Sequence, residues 1–127
     1  MKKNIAGWFE IPVTDIDRAM RFYEKVFGLK LTRNQLGDLD MAWFPEADNG
    51  IGSPGSLMKH EGFYKPSHDG VMLYLNSQTD DLNDELSRVE RAGGKILKFK
   101  TEITPEIGHM GLIEDTEGNR IGLFSKL

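Results

Sequence analysis

The sequence predicts an α+β fold in which two modules of the order strand, helix, strand, strand, strand (βαβββ) form curved mixed sheets around a cavity. The same order of strand and helix patterns occurs twice along the 127 residues. Each helix pattern ends at a glycine, and the interval from its first apolar residue has the same length in both halves, Ile16 to Gly28 and Leu82 to Gly94. One unit alone has too little core, so two units packed together form one domain.

The first module, residues 5–59, opens with a strand over residues 8–13, in which Phe9, Ile11 and Val13 share one face. Thr14 or Asp15 is placed to cap the following helix, which Gly28 ends because glycine adopts the left-handed conformation without steric cost. The remaining expected elements are a strand over 29–32, a turn over 35–40, a strand over 41–44, a loop over 45–55 and a strand over 56–59.

The second module, residues 70–126, follows a linker rich in Gly, Pro and Ser over residues 60–69. A strand is expected over 71–75, then a helix capped by Thr79 or Asp80 and ended by the Gly93-Gly94 pair. The later elements are a strand over 95–99, a turn-rich stretch over 101–108, a strand over 111–114, a tight turn over 115–119 and a strand over 120–124. A ferredoxin-like sandwich is the alternative, but it has fewer strands after each helix.

Composition excludes several classes of function. The net charge is −4 and no run of basic residues occurs, which argues against nucleic acid or an anionic membrane as a partner. The absence of cysteine excludes disulfides, thiolate nucleophiles and cysteine metal sites. Neither a signal peptide nor an apolar stretch of about 20 residues is found, so we expect a cytoplasmic protein.

Three motifs in order resemble the vicinal-oxygen-chelate superfamily, which comprises glyoxalase I, bleomycin-resistance proteins and extradiol dioxygenases. The segment 10–28 is similar to its opening strand and helix, with Asp15, Phe22-Tyr23 and Phe27-Gly28 at the family's positions. Ala92-Gly93-Gly94 resembles the end of the second helix. Residues 114–124 resemble the final hairpin, although Thr116 stands where the family pattern has proline. The resemblance covers residues 5–127 and implies the two-module fold.

The resemblance also implies four His or Glu ligands for a divalent cation that polarises two adjacent substrate oxygens. Carried over one by one, these positions fall on side chains that coordinate metals poorly or not at all: Trp8, a residue near Ser56, Gly70 or Val71, and Gly122. We therefore expect a subgroup that lacks the family's metal site and needs no cofactor. His60, His68 and His109 do not have the spacing of a preformed metal site, and solvated loop positions are the simpler interpretation.

For a member of the family without the metal, the resemblance implies a ligand pocket on the concave face of the sheets. We expect two groups of residues to line this pocket: those whose side chains point to the same side of a strand as the lost ligand positions, and those in the middle strands of the first module. They are Trp8, Glu10, Trp43, Met58, Met72, Tyr74, Arg120 and Phe124. Aromatic and methionine side chains suit a flat or flexible organic ligand. Packing in the core or in a dimer remains the alternative for the aromatic members.

Glu10 lies in an otherwise apolar strand, where an unpartnered carboxylate is costly. One hypothesis makes it a general base, and the other pairs it with Arg120 so that both charges are satisfied. His109, near the expected cavity mouth, is a weaker candidate for acid–base chemistry. The sequence thus predicts a binder of small hydrophobic or aromatic molecules, and the resemblance implies that it forms a homodimer. The alternative is a lyase, isomerase or dioxygenase-type enzyme that uses Glu10, His109 or an atypical metal site.

Overall fold

A computed structural model describes residues 2–127 and has the predicted α+β architecture. The elements in chain order are β1 (Phe9–Pro12), α1 (Ile16–Phe27), β2 (Thr32–Leu36), β3 (Leu39–Trp43), β4 (Gly55–Lys59), β5 (Tyr74–Asn76), α2 (Asn83–Val89), β6 (Lys95–Thr104), β7 (Gly108–Glu114) and β8 (Arg120–Ser125). The order strand, helix, strand, strand, strand therefore occurs twice, as the repeat in the sequence predicts.

The strands of residues 2–127 form two four-stranded sheets with equivalent topology. The strand orders are β1-β4-β3-β2 and β5-β8-β7-β6, so the first strand of each module lies at one edge beside the last. These edge pairs, β1 with β4 and β5 with β8, are parallel, and the other neighbours are antiparallel. The register places Ser56 between Glu10 and Trp43 in the first sheet, and places Gly122 beside Tyr74 in the second.

Helix α1 begins and ends at the residues that the sequence predicts. Asp15 has an extended backbone and its side chain accepts a hydrogen bond from the backbone N–H of Arg18, which satisfies one free donor of the first turn. Gly28 adopts φ 67°, the left-handed conformation that favours glycine. The inner face of the helix packs into the core, where Phe22 and Tyr23 are fully buried.

Helix α2 is shorter and lacks the predicted cap. Its N-cap is Leu82, which makes no capping hydrogen bond through its side chain, so the prediction of Thr79 or Asp80 is wrong. The Thr79 hydroxyl instead contacts the Asp84 carboxylate. Asp80 has φ 65° and its carboxylate accepts from the backbone N–H of Lys126, near the end of the chain. Both side chains are thus engaged in contacts that hold the loop before the helix.

Several strand boundaries differ from the predicted ones, most of all in β2, β5, β6 and β7. β2 begins at Thr32, where the predicted strand ends, because the residues before it pack against the core; Leu31 is only 8% exposed. β5 begins at Tyr74 and leaves Val71 exposed. β6 runs through the first half of the predicted turn region to Thr104, pairing with a longer β7 through three irregularities in register.

The two modules share one core and are joined by buried polar contacts. The Tyr23 hydroxyl donates to the Asp115 carboxylate over 2.6 Å, and the Asn119 amide donates to the carbonyl of Pro12 over 2.8 Å. Burial and the adjacent Asp115 charge raise the pKa of Tyr23 well above its usual value, so the phenol remains a donor. Arg88 donates to the backbone carbonyl of Val26, which links the two helices.

Glu117, in the turn before β8, binds the N-terminal end of α1. Its carboxylate accepts from the backbone N–H groups of Thr14 and Asp15, both over 2.9 Å, and from Arg18 over 2.8 Å. Burial alone would raise the pKa of Glu117, but these hydrogen bonds outweigh burial and lower the pKa to about 2. Module one thus receives a negative charge at its helix N-terminus from module two.

Candidate functional site

The predicted pocket residues lie on the sheet faces that point away from the helices. In β4, Leu57 packs into the core, so the alternating neighbours Ser56 and Met58 point to the opposite side. We call the surface formed by Trp8, Glu10, Trp43, Ser56, Met58 and Tyr64 the module-one face. We call the surface formed by Met72, Tyr74, Arg120, Gly122 and Phe124 the module-two face.

The eight predicted pocket residues divide between these two faces. Trp8, Glu10, Trp43 and Met58 belong to the module-one face, and Met72, Tyr74, Arg120 and Phe124 to the module-two face. Within residues 2–127 no hydrogen bond, ion pair or aromatic contact joins one set to the other. Two clefts of about 400 and 370 Å³ lie elsewhere, at the C-terminal end of α1 and beside the hairpin of β2 and β3.

Two tryptophans form the centre of the module-one face. The rings of Trp8 and Trp43 meet edge to face, with centroids 5.5 Å apart and planes at 74°. Each remains partly open to solvent, with Trp8 40% and Trp43 39% exposed. They are the two tryptophans of the chain. Because both are fixed by contact with one another and are still accessible, they offer aromatic surface to a ligand at low entropic cost.

Glu10 is held beside these rings by two neutral donors. The Tyr64 hydroxyl donates to one carboxylate oxygen over 2.5 Å, and the Trp8 indole N–H donates to the other over 3.3 Å. The hydrogen bond to Glu10, together with burial, raises the pKa of Tyr64, so its phenol stays protonated. The linker thereby fixes the orientation of a half-buried carboxylate on the first strand.

Behind the rings and the carboxylate, the module-one face has a buried floor. Ser56 is 0% exposed and Met58 is 1% exposed. The Ser56 hydroxyl has no hydrogen-bond partner among residues 2–127, although it lies between Glu10 and Trp43 in the strand register. An unpartnered buried hydroxyl is uncommon and costs free energy, so it marks a position where a further polar group would be stabilised.

The predicted ion pair between Glu10 and Arg120 does not form. Arg120 lies on β8, in the other sheet, beside Glu114. Its Nε is buried and has no partner in the described chain, residues 2–127. Glu10 is satisfied by Tyr64 instead, a contact across 54 sequence positions that strand periodicity does not reveal.

His109 lies on the helix side of the second sheet, and the predicted position near a cavity mouth is wrong. It shares its side of β7 with Gly111, where an added Cβ would contact Leu82 and Leu86 of the second helix region. β7 begins three residues earlier than predicted and so includes His109, which sets the direction of its side chain. His109 is therefore on the opposite side of the sheet from Tyr74 and Phe124.

The other two histidines make local contacts. His60 pairs with Asp38 over 3.0 Å and stacks on Phe63, and its side chain is only 16% exposed. His68 lies 3.3 Å from the Glu114 carboxylate at the end of β7. The expectation of solvated loop histidines thus fits His68, which is about half exposed, better than it fits His60.

The module-two face is more open. Tyr74 is 47% exposed, and its ring occupies the space beside Gly122, where an added Cβ would come within 2.5 Å of it. Met72 and Phe124 are partly buried. The third position at which the resemblance places a ligand, Gly70 or Val71, precedes β5, and Val71 is 96% exposed. In β5, the first strand of this module, the residue that lies next to Gly122 is therefore Tyr74.

At the four positions where the resemblance places the family's ligands, the residues do not fit a divalent cation. Trp8 and Gly122 offer no side-chain ligand, Ser56 is a single neutral hydroxyl, and Val71 points into solvent. Within residues 2–127 no group of three or more His, Asp or Glu side chains is placed to hold a metal ion. We therefore derive no metal-dependent step for this chain.

Comparison with known proteins agrees with the architecture. The family model of the Glyoxalase/Bleomycin resistance protein/Dioxygenase superfamily matches residues 5–123. The chain belongs to this superfamily. A superfamily relative, a glyoxylase-like domain-containing protein of Didymella fabae, is 30% identical over 114 residues, covering 87% of this chain and 84% of the relative. The predicted family and fold are confirmed.

Solved structures show the same fold at low sequence identity. The hypothetical protein SA1046 of S. aureus is 20% identical with a TM-score of 0.69, covering 97% of this chain and 95% of that one. Glyoxalase I of Zea mays is 20% identical with a TM-score of 0.68, and the match covers 94% of this chain but 45% of the maize chain. The present chain thus spans less than half of the maize enzyme.

Among residues 2–127, neither helix has the length and the apolar composition that a membrane span requires.

Tyr64 and Ser56 are the two site residues that sequence reasoning missed. Tyr64 falls in the segment assigned as a linker, where the adjacent aromatic pair Phe63-Tyr64 is the signal that could have drawn attention to it. The sequence alone presents Ser56 only as a poor metal ligand. Its position between Glu10 and Trp43 depends on strand register, which the sequence alone does not fix.

Proposed function

We propose that this protein binds a small aromatic or hydrophobic organic molecule on the module-one face. The observation that carries the proposal is the pair of partly exposed tryptophans, Trp8 and Trp43, held beside a half-buried carboxylate over a buried floor. A solvent-facing surface with no ligand does not need two large aromatic side chains in this arrangement. A flat ligand that packs against them removes apolar area from water on both sides of the contact.

The floor supports the same proposal. Met58 is a buried member of this face, and its flexible and polarisable side chain is of a kind that adapts to ligands of different shape. Polar groups are few and concentrated at Glu10, Ser56 and Tyr64, as expected of a site in which apolar contacts supply affinity and a small number of polar groups fix orientation.

We also propose that the chain forms a homodimer in which a second copy covers the module-two face. Large apolar side chains are exposed at both edges of this sheet, Val71 and Tyr74 at the β5 edge and Leu97, Phe99 and Ile103 along β6. Large apolar side chains left exposed in such number are typical of a surface that contacts another protein. Sedimentation of the wild-type chain at micromolar concentration should give a dimer, and a stable monomer would contradict this part of the proposal.

A thermal-shift screen of small aromatic compounds tests the binding function. A ligand that binds only the folded chain raises its stability by about 2.7 kcal/mol at a hundred times its dissociation constant. We expect at least one aromatic compound to raise the melting temperature, and Trp43→Ala to weaken its binding at least tenfold.

Phe63→Ala is the matched control for this screen. Phe63 is an exposed aromatic residue next to Tyr64 in the chain, but its ring stacks on His60 and not on the tryptophans. We expect binding to be unchanged in this variant. An equal loss in both variants, or no response across a broad aromatic library, would contradict the proposed function.

A further inference from the structure

We infer that the ligand of the module-one face is an organic cation, an aromatic molecule with a protonated amine that lies beside Glu10 and against the Trp8 and Trp43 rings. This inference rests on the proposed function and adds the charge of the ligand to it. It is carried by the charge balance around Glu10, by the geometry of the two rings and by the unpartnered Ser56 hydroxyl.

Glu10 is a negative charge without a positive partner. Within residues 2–127, no Lys, Arg or His forms an ion pair with it. Its two hydrogen-bond donors, the Tyr64 phenol and the Trp8 indole, are both neutral. A carboxylate has about four lone-pair positions, so two accepted bonds leave room for further donors. A ligand ammonium would supply both the donors and the missing positive charge.

The tryptophan rings favour the same charge. An indole ring attracts a cation placed over its face within about 6 Å, more strongly than the other aromatic side chains do. In an edge-to-face pair, the contact between Trp8 and Trp43 uses one ring face, and the partial exposure of both rings leaves other faces accessible. An anion would meet the negative faces of the same rings and the Glu10 charge, so the site disfavours it.

Ser56 adds an acceptor on the far side of Glu10. Its hydroxyl is buried, lacks a partner within residues 2–127, and is flanked in the strand register by Glu10 on one strand and Trp43 on the other. A primary ammonium has three N–H donors for the Glu10 carboxylate, and reaching this buried hydroxyl as well requires the side chains that cover it to move. A quaternary ammonium lacks these donors, so we expect a primary amine to bind more tightly than its trimethylated form.

Four probes of similar size test the inference: 2-phenylethylammonium, 2-phenylethanol, phenylacetate and 2-phenylethyl-trimethylammonium. Affinities are measured by calorimetry and by quenching of intrinsic fluorescence, which reports on this face because Trp8 and Trp43 are the chain's two tryptophans. We expect the primary ammonium to bind at least tenfold more tightly than the neutral alcohol, and phenylacetate to bind most weakly.

Glu10→Gln keeps the size of the side chain and removes its charge, so it should abolish the preference for the ammonium over the alcohol. Glu106→Gln, an exposed carboxylate elsewhere on the surface, is the matched control and should keep the preference. Tyr64→Phe is a second variant; it removes a competing donor from Glu10, so the preference should grow. Near-ultraviolet circular dichroism checks that each variant is folded.

Equal affinity for the alcohol and the ammonium would overturn the inference and leave the proposed binding of aromatic molecules standing. A preference for the ammonium that persists in Glu10→Gln would overturn it as well, because the charge would then be recognised elsewhere. If none of the four probes binds, the inference fails, and the aromatic library described above decides the proposed function separately.

Discussion

Module one covers the outer face of its sheet, whereas module two leaves much of its equivalent face open. Ser56 and Met58 are almost fully buried behind Trp8 and Trp43 in the first module. In the second, Tyr74 is 47% exposed and takes the space beside Gly122. Both sheets have the same strand order. The comparison shows that the topology provides two equivalent surfaces whose side chains differ in exposure, and this difference is the basis of our proposals of a ligand on one face and a protein contact on the other.

The largest effect should distinguish Gly28, which ends α1 as predicted, from Gly94, which does not end α2 because that helix stops at Val89. Gly28 needs its left-handed backbone but has open space around it. A Cβ at Gly94 would lie 2.6 Å from the Glu114 carbonyl oxygen, and also 2.6 Å from the ring of Phe22, which belongs to module one. Gly94→Ala should lower the free energy of unfolding by about 3 kcal/mol, and Gly28→Ala by about 1 kcal/mol. Urea denaturation of both variants measures the difference, and equal losses would show that the modules are not joined at Gly94.

A smaller loss is expected where module two supports the first helix of module one. Glu117→Gln removes the charge that Arg18 and the N–H groups of Thr14 and Asp15 contact. We expect the free energy of unfolding at neutral pH to fall by about 2 kcal/mol. Glu106→Gln, at an exposed position, should change it by less than about 0.5 kcal/mol. Indistinguishable variants would mean that this contact does not stabilise the helix.

The same carboxylate gives a pH dependence. Because the pKa of Glu117 is lowered from 4.5 to about 2 in the folded chain, its contribution is fully present above pH 4.5 and is lost as the pH falls towards 2. In Glu117→Gln this part of the pH dependence should be missing, so the stability curves of the two proteins should converge at low pH. Thermal unfolding from pH 6 to pH 2 measures both curves, and parallel curves would contradict the assignment.

The smallest effect concerns the helix caps. Asp15 caps α1 through the backbone N–H of Arg18, whereas α2 has no side-chain cap on its N-cap residue, Leu82. Asp15→Ala should lower the free energy of unfolding by about 1 kcal/mol. Leu82 acts instead through its buried side chain in the core. A neutral Asp15→Ala would show that Glu117 alone satisfies the helix N-terminus.

The local features of module one could be read from the sequence, and the contacts between distant segments could not. Asp15 and Gly28 were predictable because a cap and a left-handed glycine act on their own helix. The side of the sheet that His109 occupies depends on where β7 begins, and the prediction began the strand too late. Thr79 and Asp80 have the residue types of a cap, but tertiary contacts engage both side chains.

For the candidate site, the sequence indicated the residues but not their grouping. Strand alternation correctly separated Trp8 and Glu10 from the core-facing Ile11. The same alternation led to the expectation that Glu10 and Arg120 line one cavity. Alternation shows which side of its own strand a side chain takes, but it carries no information about which sheets face each other. Tyr64 was missed because its contact with Glu10 depends on the path of the linker.

Nuclear magnetic resonance of a ligand titration compares the two faces most directly. The chain has two indole N–H signals, from Trp8 and Trp43, and selective methyl labelling separates Met58 on the module-one face from Met72 on the module-two face. On titration with 2-phenylethylammonium or an aromatic hit from the screen, we expect both indole signals and the Met58 methyl signal to shift while Met72 stays in place. Shifts at Met72 with unchanged indole signals would contradict the assignment of ligand binding to the module-one face.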